Sequence, residues 1–295
     1  SKMTKINNQG FDLGCFFVVL CAVTGKPEKI GIFRKFGSMF ATIKRYDIIE
    51  RNIKSDQKKV MRLKNAVAKI ELYGWRAIKL CLMSVLIELP QFVLSLPKLL
   101  LKYVNGPIVY ILTWMIFIGG YVAVTFILFT YLQRRHPERK IIWRPKGKEI
   151  NTIIIGFIVM MAAKMIIGSF ITQQTANDAA IEKLFKISVN TSFMMVFMTA
   201  IAAPVVEELV FRGFLMDYFF TDQPIFAILL SGLIFGSIHA STNFISWLMY
   251  VVMGIILAAT YNKEKNLAAN ISLHFLNNLL PSVVFLLSSL HQLLK

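Results

Sequence analysis

The sequence predicts an all-α, polytopic membrane protein with about six to eight transmembrane helices. Hydrophobic residues make up 56% of the 295 residues and charged residues only 17%. Several apolar runs approach or exceed the roughly twenty residues that a bilayer-crossing helix needs. The strict alternation of apolar and polar residues that marks barrel strands is absent. Because lipid offers the backbone no hydrogen-bond partners, such runs must form helices.

Charge is strongly asymmetric, with 33 Lys and Arg against 16 Asp and Glu and a net charge of +17. The basic residues lie between the apolar runs, where the positive-inside bias and anionic lipid explain them. We therefore expect a bilayer with anionic lipids as a partner and no nucleic acid. The three cysteines, Cys15, Cys21 and Cys81, show no CxxC spacing, which argues against a zinc ribbon or a disulfide framework.

Residues 1–79 form a distinct N-terminal region. Its apolar run Phe11–Gly25 is short for a span and is interpreted as a short span, a signal-like segment or an interfacial hairpin. From Lys29 to Lys79, charged residues alternate with apolar ones at helical spacing. That pattern predicts either an amphipathic helix at a bilayer surface or a solvated helical linker.

Residues 80–150 are predicted to hold accessory membrane segments and a basic loop, and residues 151–295 a membrane core. The segment Leu80–Leu101 contains Pro90 and Pro97, which predicts a kinked span or a re-entrant piece because proline removes a backbone donor. The further predicted spans are Pro107–Leu132, Ile153–Ile171, Phe193–Val210, Ile225–Ile238, Phe244–Tyr261 and Ile271–Leu290.

The orientation follows from the loop Gln133–Lys148, which is short and strongly basic and should face the cytoplasm. The loop Gln173–Lys186 then lies outside, and the turn Asn262–Asn266 returns to the cytoplasmic side. This count places His239 near the outer end of a short span, away from Glu207. We therefore expect that helix to be tilted or re-entrant.

Ionisable residues stand out inside the apolar segments, since each costs about 2.5–3.5 kcal/mol to insert and needs a partner or a water-filled cavity. Glu208 and Arg212 are four residues apart, so they share a helix face and can form an ion pair. Glu207 points about 100° away and has no obvious partner nearby in sequence. Glu207 is therefore the better candidate for a general base. Pro204, three residues earlier, is expected to kink the helix and free backbone groups near the site.

Two later segments each place one histidine in an apolar context. His274 and Asn278 are four apart and present an imidazole and an amide together, and the same spacing lets Phe235 shelter the ring of His239. Taken singly, a Glu–Arg pair is more often an interfacial anchor, and asparagines often join helices by hydrogen bonds. Because two carboxylates, two histidines, an arginine and an asparagine occur together on three otherwise apolar helices, the sequence favours a catalytic site.

The three motifs together resemble one family. Glu207 to Arg212 matches EExxxR, Phe235 to His239 matches FxxxH, and His274 to Asn278 matches HxxxN. In this order they resemble the type II CAAX prenyl endopeptidases, also called CAAX proteases and bacteriocin-processing enzymes (CPBP, or Abi, family). The similarity covers roughly 153–290, and nothing before about residue 105 shares it.

The resemblance implies an intramembrane endopeptidase that is all-helical and has an active-site cavity open toward the cytoplasm. It also implies that Glu207, Glu208, Arg212, His239, His274 and Asn278 are catalytic. The expected substrate is a membrane-associated peptide or protein of CaaX, bacteriocin-leader or signalling-peptide type. The expected location is a bacterial cytoplasmic membrane.

The favoured mechanism needs no metal. Glu207 and His239 activate a water, while His274 and Asn278 donate hydrogen bonds to the oxyanion and Glu208 with Arg212 holds the geometry. A zinc mechanism remains open, with Glu207, His239 and His274 as ligands and water as the fourth. Asparagine favours the metal-free version, because it suits an oxyanion donor better than a zinc ligand.

Two alternatives come from other classes of protein. A non-catalytic immunity or scaffold membrane protein could bind a peptide without cutting it, but it would not need both histidines and both glutamates. A proton-coupled transporter could also use buried carboxylates, but no inverted repeat supports one.

Overall fold

The computed structural model describes residues 57–101, 103, 106–135, 145, 147–217 and 223–295. The apolar run Phe11–Gly25 and the first part of the Lys29–Lys79 stretch lie outside the described residues. By its internal contacts the chain divides into two compact units, Ser1–Leu72 and Tyr73–Lys295. The predicted division at residues 79 and 150 stays a prediction.

All regular secondary structure in the described residues is helical. A 3₁₀ segment, Leu89–Ser95, lies between the first two α-helices. The α-helices are α1 (Gln57–Glu88), α2 (Leu96–Leu100), α3 (Gly106–Arg135), α4 (Gly147–Gly168), α5 (Ala176–Phe185), α6 (Val189–Met216), α7 (Pro224–Ile238), α8 (Phe244–Glu264) and α9 (Leu267–Leu293).

Six helices among the described residues are long and apolar enough to cross a membrane, and α7 is a shorter apolar helix. These candidate spans are Val60–Ser95, Gly106–Arg134, Gly147–Gly168, Val189–Met216, Phe244–Glu264 and Leu267–Leu293. The predicted class, a polytopic helical membrane protein, is confirmed. Because α7 has 15 residues, it is about 22 Å long and falls short of the roughly 30 Å hydrocarbon core.

The two-proline segment changes its helix type where the prolines fall. The α-helix ends at Glu88, one residue before the 3₁₀ segment that carries Pro90. Pro90 is buried, and its ring lies close to Gly120 of α3, where an added Cβ would be only 3.3 Å from the Pro90 Cβ. The prolines therefore end one helix and pack the connection against the next.

The helices from α4 onward have two distinguishable ends. At one end, Thr152 near the start of α4 donates to Glu264 at the end of α8 (2.6 Å), and Asn266 before α9 donates to Glu149 (2.8 Å). We call this the basic end, because the predicted basic loop 133–148 joins α3 to α4 there. At the other end, which we call the α5 end, Ser192 at the start of α6 contacts Ser289 near the end of α9 (2.9 Å).

Helix α6 is not a regular α-helix. It contains two π-helical stretches, Phe197–Ala202 and Leu209–Met216, on either side of Ala203–Glu208. It extends beyond the predicted Phe193–Val210 because every residue from Leu209 to Met216 is buried against neighbouring helices. The two glutamates thus lie in the short α-helical piece between two widened turns, a feature frequent at functional sites.

Close packing of α7 on α8 depends on glycines on the two facing sides, since small residues let helix backbones approach closely. A Cβ at Gly236 would lie 2.7 Å from the backbone nitrogen of Val251, and one at Gly254 would lie 2.9 Å from the Cα of Gly232. Contacts this short leave no room for a side chain. The backbones therefore meet directly, and this sets the position of Phe235 and His239 at the end of α7.

Candidate active site

A cavity of about 360 Å³ lies among the helices of the second unit. Its wall includes four residues that the motifs predict: Glu207, His239, His274 and Asn278. Glu208 and Arg212 lie behind the wall and are fully buried. The separation of His239 from Glu207 that the count of spans suggests is not found, because the short α7 brings His239 to the same cavity.

Glu208 is the centre of a buried network. Its Oε1 accepts from Arg212 Nη1 at 3.1 Å and pairs with His274 Nδ1 at 2.8 Å, and Oε2 accepts from Asn270 Nδ2. Arg212 also donates from Nη2 to the carbonyl of Gly254 at 2.9 Å. The predicted Glu208–Arg212 ion pair is therefore confirmed, within a network of three donors to one carboxylate. Such pairing is what makes a charge tolerable inside the apolar interior.

Glu207 has a different environment, although it is the next residue. Its Oε2 is buried and receives no hydrogen bond within the described part of the chain. The nearest basic group is His274, whose Nε2 lies 3.9 Å from that oxygen. Glu207 thus presents an uncommitted carboxylate oxygen to the cavity wall, as its lack of a sequence-local partner predicts.

His239 is held between two aromatic rings. Its imidazole centroid lies 4.5 Å from that of Phe235 and 4.8 Å from that of Tyr250, with the Tyr250 ring nearly parallel at 16°. Nδ1 is 2.7 Å from the backbone carbonyl of Phe235, which can only accept a hydrogen bond. Nδ1 therefore carries the proton, and in the neutral ring Nε2 is left as an acceptor. The predicted contact of Phe235 with His239 is confirmed.

Asn278 is positioned by a backbone group that Pro204 sets free. In the π-helical turn the Ala203 N–H bonds to the Met198 carbonyl five residues back. The corresponding partner of the Thr199 carbonyl would be Pro204, which has no N–H. That carbonyl instead accepts from Asn278 Nδ2 at 2.9 Å. This confirms that Pro204 frees a backbone group near the site, and it leaves the second N–H of Asn278 for another acceptor.

The zinc alternative depends on how closely its three donor side chains approach one another. Among the described residues, no three His, Cys, Asp or Glu side chains come close enough together to hold a metal ion. His274 and His239 use Nδ1 for hydrogen bonds to Glu208 and to a backbone carbonyl, which leaves Nε2 of each ring as the atom that could bind a metal. In this arrangement Glu207, His239 and His274 are not close enough together to hold a zinc ion, and the zinc mechanism stays an alternative prediction.

Sequence reasoning missed two residues that hold the site together. Asn270 bonds to Glu208, and it lies one helical turn before His274 on the same face, a spacing that could have indicated it. Tyr250 stacks on His239, and its hydroxyl contacts Thr175 (3.0 Å) and Asp178 (3.3 Å) near the start of α5. No local sequence signal links Tyr250 to His239.

Lys164, a charged residue within the apolar helix α4, also lines the cavity. Its Nζ donates to Asn277 Oδ1 at 3.2 Å, and Asn277 Nδ2 donates to Asn278 Oδ1 at 2.9 Å. Lys164 therefore belongs to the chain of contacts that orients Asn278.

Part of the chain matches a family of known proteins. Residues 189–280 match the family described as type II CAAX prenyl endopeptidase Rce1-like. The matched region contains all three motifs and the six residues predicted to be catalytic. The resemblance that the motifs predict is therefore confirmed for this part of the chain.

Three curated relatives illustrate the range of similarity. UPF0177 protein YvdC of Lactococcus lactis is 34% identical over 170 residues, which cover 54% of this chain and 62% of that protein. UPF0177 protein YaiH of the same organism is 26% identical over 68% of this chain and 85% of its own length. Membrane-embedded CAAX protease MroQ of Staphylococcus aureus is 28% identical over 53% of this chain and 67% of its own length. No solved structure gives a significant match.

Proposed function

We propose, from the Rce1-like CAAX endopeptidase region at residues 189–280, that this chain is an intramembrane peptidase that hydrolyses a peptide bond with a glutamate-activated water. The observation that carries the proposal is Glu207 Oε2, a buried carboxylate oxygen that receives no hydrogen bond from the described residues. It faces a cavity that it shares with two histidines and an asparagine. A general base needs such an uncommitted acceptor next to a space for its water.

The two histidines take different parts in this mechanism. His239 keeps its proton on Nδ1 and offers Nε2 to the same water that Glu207 polarises. His274 donates from Nδ1 to Glu208, so its Nε2 carries a proton only in the imidazolium form. As an imidazolium it balances two carboxylates together with Arg212, and it can donate to the developing oxyanion.

Asn278 supplies the second oxyanion donor. One N–H is occupied by the Thr199 carbonyl, which fixes the amide plane and leaves the other N–H for the substrate oxygen. Glu208, Arg212 and Asn270 act as positioning residues beneath His274. Peptide-bond cleavage then consumes one water, and the Glu207 proton passes to the leaving amine.

The substrate class proposed is a membrane-associated peptide or protein, of the CaaX, bacteriocin-leader or signalling-peptide type. The chain spans about 62% of the length of the first curated relative it matches, so the activity of the whole protein is part of the proposal. The competing proposal is a non-catalytic immunity or scaffold protein that binds the same peptide in the same cavity.

The test compares wild type with Glu207→Gln by mass spectrometry of peptides released from membranes that contain each protein. Cleavage products should appear with wild type and be absent with the variant, provided that both proteins insert and unfold at similar temperatures. Retention of the full biological effect by a folded, inserted Glu207→Gln would rule out the hydrolase and favour the scaffold.

A further inference from the structure

The cavity that holds Glu207 extends toward the α5 end of the helices. Its wall includes Asn177, Asp178 and Ile181 of α5, a helix that lies outside the candidate spans. It also includes Ser282 and Phe285, which are 15 and 18 residues along α9 from the basic end. The polar wall thus reaches the short helix that connects α4 to α6 at the α5 end.

Toward the basic end the cavity is closed. His274 is seven residues from the start of α9, about 10 Å from that end. Beneath it lie Glu208, Arg212 and Asn270, each with no exposed surface. No described residue of 208–234 or 254–273 lines the cavity. The network that holds the charges therefore also separates the cavity from the basic end.

The charge of the connecting segments differs sharply between the two ends. The loop 133–148 contains seven Lys and Arg residues, whereas the segment 169–188 at the α5 end contains two, Lys183 and Lys186. The turn after α8 adds Lys263 and Lys265 to the basic end. Short loops rich in Lys and Arg remain on the cytoplasmic side of a membrane. The basic end is therefore the cytoplasmic end.

From these observations we infer that the catalytic cavity opens on the non-cytoplasmic face of the membrane. The inference rests on the proposed function for its chemistry, and it gives the substrate a location: a peptide segment exposed on the outer side, such as an exported precursor still held at the membrane. It differs from the expectation that the family resemblance supports, a cavity open toward the cytoplasm. A cytoplasmic cavity would require the helices to run the other way, with the basic loop outside.

The loop between α7 and α8 supports the same assignment. Asn177 N–H donates to the Ala240 carbonyl at 2.9 Å, and Thr242 Oγ1 donates to the Gln174 carbonyl at 3.1 Å. The segment that follows His239 is thus attached to the outer segment that precedes α5. Access to His239 and access to α5 are consequently from the same face.

The experiment is cysteine labelling in intact bacterial cells with a membrane-impermeant maleimide. Cys15, Cys21 and Cys81 are replaced by serine, and single cysteines are introduced by Lys183→Cys at the α5 end, Lys148→Cys at the basic end and Ile181→Cys on the cavity wall. Lys183 and Lys148 are exposed and matched in residue type, and neither lines the cavity.

We expect Lys183→Cys and Ile181→Cys to be labelled from outside, and Lys148→Cys to be labelled only after the cells are permeabilised. Outside labelling of Lys148→Cys would overturn the inference, and so would labelling of Ile181→Cys that requires permeabilisation. The readout needs no turnover, so Glu207→Gln added to each background should label identically. If Glu207→Gln instead kept full processing, the proposed function would fail while the orientation of the cavity would stand.

Discussion

Two clusters of polar side chains join helices of the second unit, and their surroundings differ. The floor network (Glu208, Arg212, Asn270 and His274) closes the cavity toward the basic end. Each of its members is at most 2% exposed. The end cluster (Glu149, Thr152, Lys263, Glu264 and Asn266) joins α4, α8 and α9 at the basic end. There the side chain of Lys263 is 65% exposed, and it lies 3.7 Å from Glu264.

The difference shows that the energetic contribution of an ion pair in a membrane protein depends on how deeply the pair is buried. At the basic end the side chain of Lys263 is mostly exposed, so its ion pair with Glu264 forms at little cost. In the floor network every charge depends on protein partners, and removing one partner leaves another charge buried and unpaired. Glu207 lies beside the floor network without sharing its hydrogen bonds, which is why Glu207, and not Glu208, is the proposed general base.

The largest effect is expected from Glu207→Gln, with Glu264→Gln as the matched change in the end cluster. The first should reduce peptide release by about 10²–10⁴-fold, the usual contribution of a general base. The second should leave release within about threefold, because Glu264 touches neither cavity nor floor. Peptide release from membranes, measured by mass spectrometry at equal protein amounts, checks both. Equal losses in the two variants would contradict a special role for Glu207.

A second pair of changes compares the two cations. Arg212→Gln should lower the free energy of unfolding by about 3–5 kcal/mol, because Glu208 would be left buried with fewer donors. Lys263→Gln should cost less than about 1 kcal/mol, because that side chain is mostly solvated. Thermal unfolding in detergent, followed by intrinsic fluorescence, measures the difference. Similar shifts in Tm for the two variants would mean that burial does not determine how much each ion pair stabilises the protein.

A smaller effect is expected from substitutions of Tyr250, which acts as a positioning residue for His239. Tyr250→Leu removes the stacked ring and should lower kcat by about 10–100-fold with little change in KM, since small misplacements of a catalytic group are costly. Tyr250→Phe keeps the ring and should restore most of the rate. A Phe variant as slow as the Leu variant would show that the hydroxyl contacts to Thr175 and Asp178, and not the stacking, position His239.

The smallest effect is expected from removing metal. The proposed mechanism assigns the polarisation of water to Glu207 and His239, so a strong chelator should change the rate of peptide release by less than about twofold. Metal analysis of the purified protein accompanies the assay. Loss of activity on chelation, restored by Zn²⁺, would replace the metal-free proposal with one in which Glu207, His239 and His274 rearrange to bind zinc.

Much of this site could be predicted because the relevant contacts are local. Glu208 with Arg212 and Phe235 with His239 are each one helical turn apart, and helix geometry brings such residues together whatever the surrounding fold. The freed backbone group near Pro204 is likewise a local property of the chain. Asn270 lies one helical turn before His274, so the same spacing argument could have identified it.

The rest depends on contacts between distant segments. Tyr250 meets His239 because α7 and α8 approach closely at Gly236 and Gly254. The π-helical turns of α6 could not be predicted either, because a hydrophobic run contains no pattern that distinguishes a π-helical turn from an α-helical one. They lie where neighbouring helices bury all of residues 209–216, a packing that no single segment reveals.

The sequence by itself determined that this chain is an all-helical membrane protein, and it singled out six polar residues in three motifs as candidates for its chemistry. Hydrophobic length and helical spacing are short-range properties, and lipid leaves the backbone no other choice than the helix. Only the tertiary structure decided that Asn270 and His274 complete the pairing of Glu208, and at which end of the helices the cavity lies. Both depend on which partners α7, α8 and α9 bring to α6, and no spacing within one helix contains that information.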